Sequence, residues 1–135
     1  MKDNFQSVIA SDLRSTPPVA PSAKEKTTVE FARFIIKEGV TDAEVIERSQ
    51  IFEDHFLLKQ SGYMKRELLH IKGRAWADIV YWANSEEAEK ALLASQKNPA
   101  CGAYFSMMEQ VDPQNPDCGI IHLEIVKSYS VSGDK

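Results

Sequence analysis

The sequence is poor in the residues that usually announce a chemistry. Two cysteines, Cys101 and Cys118, are too few and too far apart for a CxxC zinc or redox site, so reduced thiols are expected. One disulfide closing the loop between them is the other arrangement they allow. No run of Lys or Arg occurs in a chain of net charge -4, and the phosphate-neutralising patch that nucleic-acid binding requires is therefore missing. No apolar stretch approaches the roughly 18 to 20 residues that span a bilayer, and the N-terminal residues lack the apolar core of a signal peptide. These absences predict a protein without nucleic-acid or membrane partners, working in the cytoplasm.

What is present is ordinary globular material. Hydrophobic residues make up 43% and charged residues 27% of 135, which excludes overall disorder and suits one domain with a core of its own. Residues 1–26 hold three of the six prolines among Ser, Ala and Thr and are expected to form an extension or arm. The domain proper is placed at 27–130, with a tail at 131–135.

Within it, Thr27 to Lys37 is rich in β-branched and aromatic residues and ends at Glu38-Gly39, which predicts a first strand. Thr41-Asp42-Ala43-Glu44 fits a capping box and starts a helix. On that helix Val45, Ile46, Ser49, Phe52, Phe56 and Leu57 share one face, and Gly62 supplies the stop. Two strands follow, Tyr63 to His70 and Arg74 to Ala83, turning at Lys72-Gly73. Asn84 or Ser85 caps a second helix that buries Ala88, Ala91, Leu92 and Ser95. Pro99 to Met108 is a short extra helix, and Gly119 to Lys127 is the last strand.

The order β-α-β-β-α-β, joined by right-handed crossovers, gives an α+β ferredoxin-like fold: a four-stranded antiparallel sheet, order 4-1-3-2, with both helices on one face. The uncovered face would be a costly apolar patch in water, and pairing of two sheets in a homodimer is the expected remedy.

Residues 28 to 127 resemble the dimeric α/β-barrel superfamily and, within it, the antibiotic biosynthesis monooxygenase-like domains. The resemblance rests on VEFARFIIKEGV, on Gly62-Tyr63 leading into Arg66-Glu67-Leu68-Leu69, on WADIVYW at 76–82 with Ser85-Glu86-Glu87-Ala88 after it, and on Asn98-Pro99-Ala100 followed by Tyr104-Phe105. It implies a pocket between sheet and helices and, for an enzyme, oxygenation of an activated aromatic ring with no cofactor. The haem-degrading branch of the superfamily is similar in using an Asn on the first strand and a Trp and a His on or just beyond the second helix. Here no Asn lies between Val29 and Lys37, Ala91 or Leu92 falls near the Trp position, and Cys101 to Tyr104 contains no His.

The hairpin register decides which polar groups meet. A two-residue turn at Lys72-Gly73 would set Glu67 opposite Asp78, a like-charge pair that costs stability. A three-residue loop with a Gly bulge pairs His70 with Trp76 and Leu68 with Asp78, sets Arg66 diagonal to Asp78, and is the expected arrangement. Met64, Arg66, Leu68, His70, Trp76, Asp78, Val80 and Trp82 then share one face, and Glu67, Leu69, Ala75, Ala77, Ile79 and Tyr81 the other.

An imidazole titrates near neutrality and a nearby Asp would orient it, so His70 and Asp78 are candidate proton-transfer residues. Arg33, between Phe31 and Ile35, is a candidate clamp for a carboxylate or phenolate, or else the partner of an acid on a neighbouring strand. Trp76, Tyr81, Trp82, Tyr104 and Arg66 are the candidate ligand-binding groups. The plain reading of the same residues is a structural Arg66–Asp78 ion pair at the subunit contact and a Trp-filled core. His122 and Glu124 share a face at i, i+2, but no third ligand is identifiable from spacing and no metal is expected. The functional expectation is a cofactor-independent oxygenase for a small aromatic or apolar ligand. The alternative is a non-catalytic ligand-binding or assembly domain that dimerises through its sheet.

Overall fold

The computed structural model describes residues 26–115 and 118–131. Nearly all of the expected arm lies outside the described residues, as does the end of the expected tail. The elements are β1 (Thr28–Ile35), α1 (Asp42–His55), a 3₁₀ turn (Leu57–Lys59), β2 (Tyr63–Lys72), β3 (Ala75–Trp82), α2 (Ser85–Ser95), α3 (Pro99–Phe105) and β4 (Gly119–Glu124). The strands form one sheet in the order β2-β3-β1-β4, every neighbouring pair antiparallel. This is the ferredoxin-like arrangement that the sequence predicts.

Local chemistry accounts for the boundaries. Thr41 Oγ1 accepts from the Glu44 backbone N–H, and Glu44 Oε1 accepts from that of Thr41, each at 3.1 Å, so both halves of the capping box are formed. Asn84 caps α2 through the Glu87 N–H and Asn98 caps α3 through the Ala100 N–H, both at 2.9 Å. Val45, Ser49 and Phe52 of α1 are buried as expected, but Ile46 is 59% exposed. It sits at the margin of the stripe, one step past where the helix meets the sheet.

The hairpin has the predicted pairing, Leu68 with Asp78 and His70 with Trp76, but reaches it differently. The irregularity falls between His70 and Lys72, Lys72 pairs with Ala75, and the turn itself is Gly73-Arg74 rather than Lys72-Gly73. Gly73, at φ 54°, takes the left-handed conformation that closes it. A second irregularity between Tyr63 and Lys65 brings Tyr63 opposite Trp82.

Alternation from that register gives β1 an inward set of Thr28, Glu30, Ala32 and Phe34 and an outward set of Val29, Phe31, Arg33 and Ile35. The inward face packs with Val45, Phe52, Ala88 and Tyr104 from the helices around Phe34, Trp76, Val80 and Trp82. Among the described residues no helix lies on the outward face. Among the described residues no helix is long and apolar enough to cross a membrane.

Candidate active site between sheet and helices

A cavity of about 410 Å³ lies between the inward face of the sheet and the helices. Its walls are largely aromatic and aliphatic: Phe34, Val80 and Trp82 from the sheet, Phe52 from α1, Ala91 and Leu92 from α2, and Tyr104 and Phe105 from α3. Pro99 at the start of α3 and the Asn98 cap fix that short helix where its Tyr104 faces the sheet.

Three acids, Glu30, Asp78 and Glu109, stand in this largely apolar wall, and Asp78 is the one tied to the helices. Asp78 is 4% exposed, and both its oxygens are engaged. Oδ1 lies 3.2 Å from Arg66 Nη1, and Oδ2 accepts a 2.8 Å hydrogen bond from the Tyr104 hydroxyl. Arg66 is itself held by Ser49, through both the backbone carbonyl and the hydroxyl, and its Nε lies 3.5 Å from Glu53. Glu53 in turn accepts from the Tyr63 hydroxyl at 2.8 Å. The guanidinium lies over the rings of Phe52 and Tyr104, 5.3 and 5.8 Å from their centroids, and those two rings stack at 4.6 Å.

Burial pushes the Asp78 carboxyl up to about 6, against the opposing pull of Arg66 and of the Tyr104 hydrogen bond. The same burial, with the Asp78 charge beside it, pushes the Tyr104 phenol far above its ordinary value. Tyr104 is therefore a fixed hydrogen-bond donor, and Asp78 is a group able to take and release a proton near neutrality.

The structure brings Asp78, Trp82 and Tyr104 to the cavity wall, with Arg66 directly behind Asp78. It does not bring His70 there. His70 is exposed near the hairpin tip, its ring 4.6 Å from that of Trp76 and its Nε2 2.8 Å from the Gly73 carbonyl. Trp76 is buried in the core on the inward face but outside the cavity lining. Tyr81 alternates onto the outward face, under the ammonium of Lys65 at 4.6 Å. Arg33 borders the cavity, yet alternation assigns its side chain to the outward face with Phe31 and Ile35. The Arg66–Asp78 pair also lies on the helix-covered face, not on the face available to a second subunit, because inward alternation at position 78 coincides with that of Trp76 and Val80.

Sequence reasoning missed Ser49 and Glu53 as partners of Arg66, and Glu30 altogether. Glu30 lines the cavity from β1. Its signal was in the sequence: at alternate positions Thr28, Glu30, Ala32 and Phe34 form a buried set, and a carboxyl in such a set needs a partner.

No protein-family model matches the chain, and no curated protein matches it in sequence. Solved structures do. SnoaB, a cofactor-independent oxygenase from Streptomyces nogalater, superposes with a TM-score of 0.53 at 16% identity over 79% of this chain and 98% of its own. A protein of unknown function from Nitrosomonas europaea gives 0.54 at 13% identity, covering 82% of this chain and 99% of its own. A second protein from that organism, described as a candidate antibiotic biosynthesis monooxygenase, gives 0.51 at 9% identity over 76% and 90%.

Proposed function

We propose that this chain, which has the fold of the antibiotic biosynthesis monooxygenase-like domains of the dimeric α/β-barrel superfamily, binds a small hydroxylated aromatic molecule in its sheet–helix cavity and oxygenates it without a bound cofactor. The observation that carries this reading is Asp78, a buried carboxyl titrating near neutrality in a largely apolar cavity and fixed by the Tyr104 hydroxyl. Asp78 as carboxylate accepts a proton from the substrate, and Arg66 balances its charge. The resulting electron-rich ring reacts directly with O₂. At an activated ring CH₂, one oxygen atom becomes the new C=O and the other leaves as water, with all four electrons coming from the substrate. The apolar walls exclude bulk water from this step. Tyr104, whose hydroxyl donates to Asp78 Oδ2, holds that carboxylate in place at the cavity wall.

Two such domains paired through their outward faces complete the proposal, since Phe31, Leu69, Ile79, Tyr81, Ile121 and Leu123 all alternate onto that face. Cys101 is buried with its thiol pushed up to about 11, and Cys118 is also unpaired, as the reducing cytoplasm would leave them. A non-catalytic binding domain is the second reading. It is favoured by the Arg66 network, which ties β2 and β3 to α1 and so has a structural use of its own.

Oxygen uptake with anthrone as probe separates the two. The oxygenase reading expects uptake well above buffer, reduced at least a hundredfold in Asp78→Asn with the fold retained. Uptake equal to buffer, or indifferent to Asp78→Asn, sinks it.

A further inference from the structure

We infer that Glu30 is a second polar anchor of the cavity, and that the ligand is an aromatic molecule with two hydroxyl groups, one donated to Asp78 and the other to Glu30. This rests on the reading of the cavity as an aromatic-ligand site and narrows it.

Glu30 has a built environment. Its Oε1 accepts from Trp82 Nε1 at 3.2 Å, and His122 Nε2 lies 3.4 Å from the same oxygen, close enough for an ion pair but outside hydrogen-bonding geometry. Three adjacent strands, β3, β1 and β4, thus hold one carboxylate in place through a single oxygen. Among the described residues no hydrogen bond reaches its Oε2, and the side chain, 15% exposed, lines the cavity, so this oxygen is open to a ligand there. A ligand hydroxyl donated to that open oxygen would add a charge-assisted hydrogen bond. Burial also raises the Glu30 carboxyl above its ordinary value, as it does that of Asp78.

The spacing points to one ligand touching both acids. Glu30 pairs with Val80 and Ala32 pairs with Asp78, so Glu30 and Asp78 are diagonal neighbours on one sheet face, about 7–8 Å apart by strand geometry. The other diagonal is Ala32 and Val80, both apolar, which leaves a shelf for a flat ring between the acids. A bicyclic diol spans that distance. Each carboxylate oxygen can accept two hydrogen bonds, so Asp78 has capacity left beside Arg66 and Tyr104. An anionic ligand would be repelled by two acids, and a ligand with one hydroxyl would leave one acid dry.

The test is anaerobic titration calorimetry of the full chain with 1-naphthol, 1,5-dihydroxynaphthalene and protonated 1-(aminomethyl)naphthalene. The diol is expected to bind the unaltered protein at least tenfold tighter than 1-naphthol. In Glu30→Ala that advantage disappears while 1-naphthol affinity moves by less than twofold. In the isosteric Glu30→Gln, which keeps the cavity filled should the alanine variant fail to fold, the advantage falls to a few-fold. Equal binding of diol and naphthol, an advantage undiminished in Glu30→Gln, or tighter binding of the ammonium compound would each overturn the assignment. Naphthol binding without a diol advantage would leave the aromatic-site reading standing. A Glu30-dependent diol advantage in a protein that consumes no oxygen would remove the oxygenase reading alone.

Discussion

At the scale of the residue, Asp78 behaves unlike an ordinary ion-paired aspartate. Arg66 at 3.2 Å and the Tyr104 hydroxyl both favour its charged form, yet burial outweighs them and the carboxyl sits at about 6. The charges of Glu30 and Glu53 push the same way as burial, and Arg66 is shared with Glu53. A stability dependence follows with a definite sign. Between the ordinary aspartate value and about 6 the folded chain holds a proton on Asp78 that the unfolded chain has released, so this group's contribution falls as pH rises through that window. The fall is on the order of 3 kcal/mol. Urea unfolding of the parent and of Asp78→Asn at pH 4.5 and 7 would show it as a difference between their pH slopes, the asparagine variant losing less stability, or gaining more, on going to pH 7. Parallel curves would mean that Asp78 titrates normally. The proposed role of Asp78 as base predicts oxygen uptake rising through pH 6.

At the scale of the element, the fold was legible because every strand and helix carried its own end signal. The capping box at Thr41, the Asn84 and Asn98 caps, and the outward and inward sets of β3 are all written in short stretches. The site was only half legible, because it depends on which face the helices cover. Asp78, Trp82 and Tyr104 lie in that layer, whereas His70 sits beyond its edge and Tyr81 on its far side. Nor does spacing show that Ser49 and Glu53, one helical turn apart on α1, converge on Arg66. Glycine marks a further dependence on packing between elements. Gly62, at φ 86°, joins α1 to β2, and a Cβ there would fall 2.5 Å from Glu87 Cβ on α2. Gly73 also has positive φ, but nothing lies within 4 Å of its missing Cβ. Gly62→Ala therefore adds a steric clash to the left-handed strain of about 1 to 2 kcal/mol that Gly73→Ala bears alone. Thermal melting should fall clearly further for position 62. Equal losses at both positions would show that α2 yields without cost.

At the scale of the whole molecule, the described helices cover one face of the sheet, and among the described residues none lies on the other. Alternation places Phe31 and Ile79 opposite each other at the centre of that face, flanked by Leu69 on β2 and by Ile121 and Leu123 on β4. Leu69, Ile121 and Leu123 are 39%, 53% and 49% exposed, too much apolar surface in one place for scattered surface leucines to explain. Charged groups stand at its margin, Lys65 and Glu67 on the edge strand β2, as they do around the apolar centre of a protein interface. A second copy of the same face is the simplest cover, because a two-fold pairing needs no partner beyond the chain itself and brings like residues together. A cation at the centre of such an interface would be desolvated beside the like-charged Arg33, two residues on along the same face, while the inward cavity and its Asp78 would be untouched. Phe31→Lys should therefore convert a species of twice the chain mass into one of single mass at micromolar concentration. Sedimentation velocity reads the mass directly, and a parent protein that stays monomeric at a few hundred micromolar would show that the outward face is not a self-pairing surface.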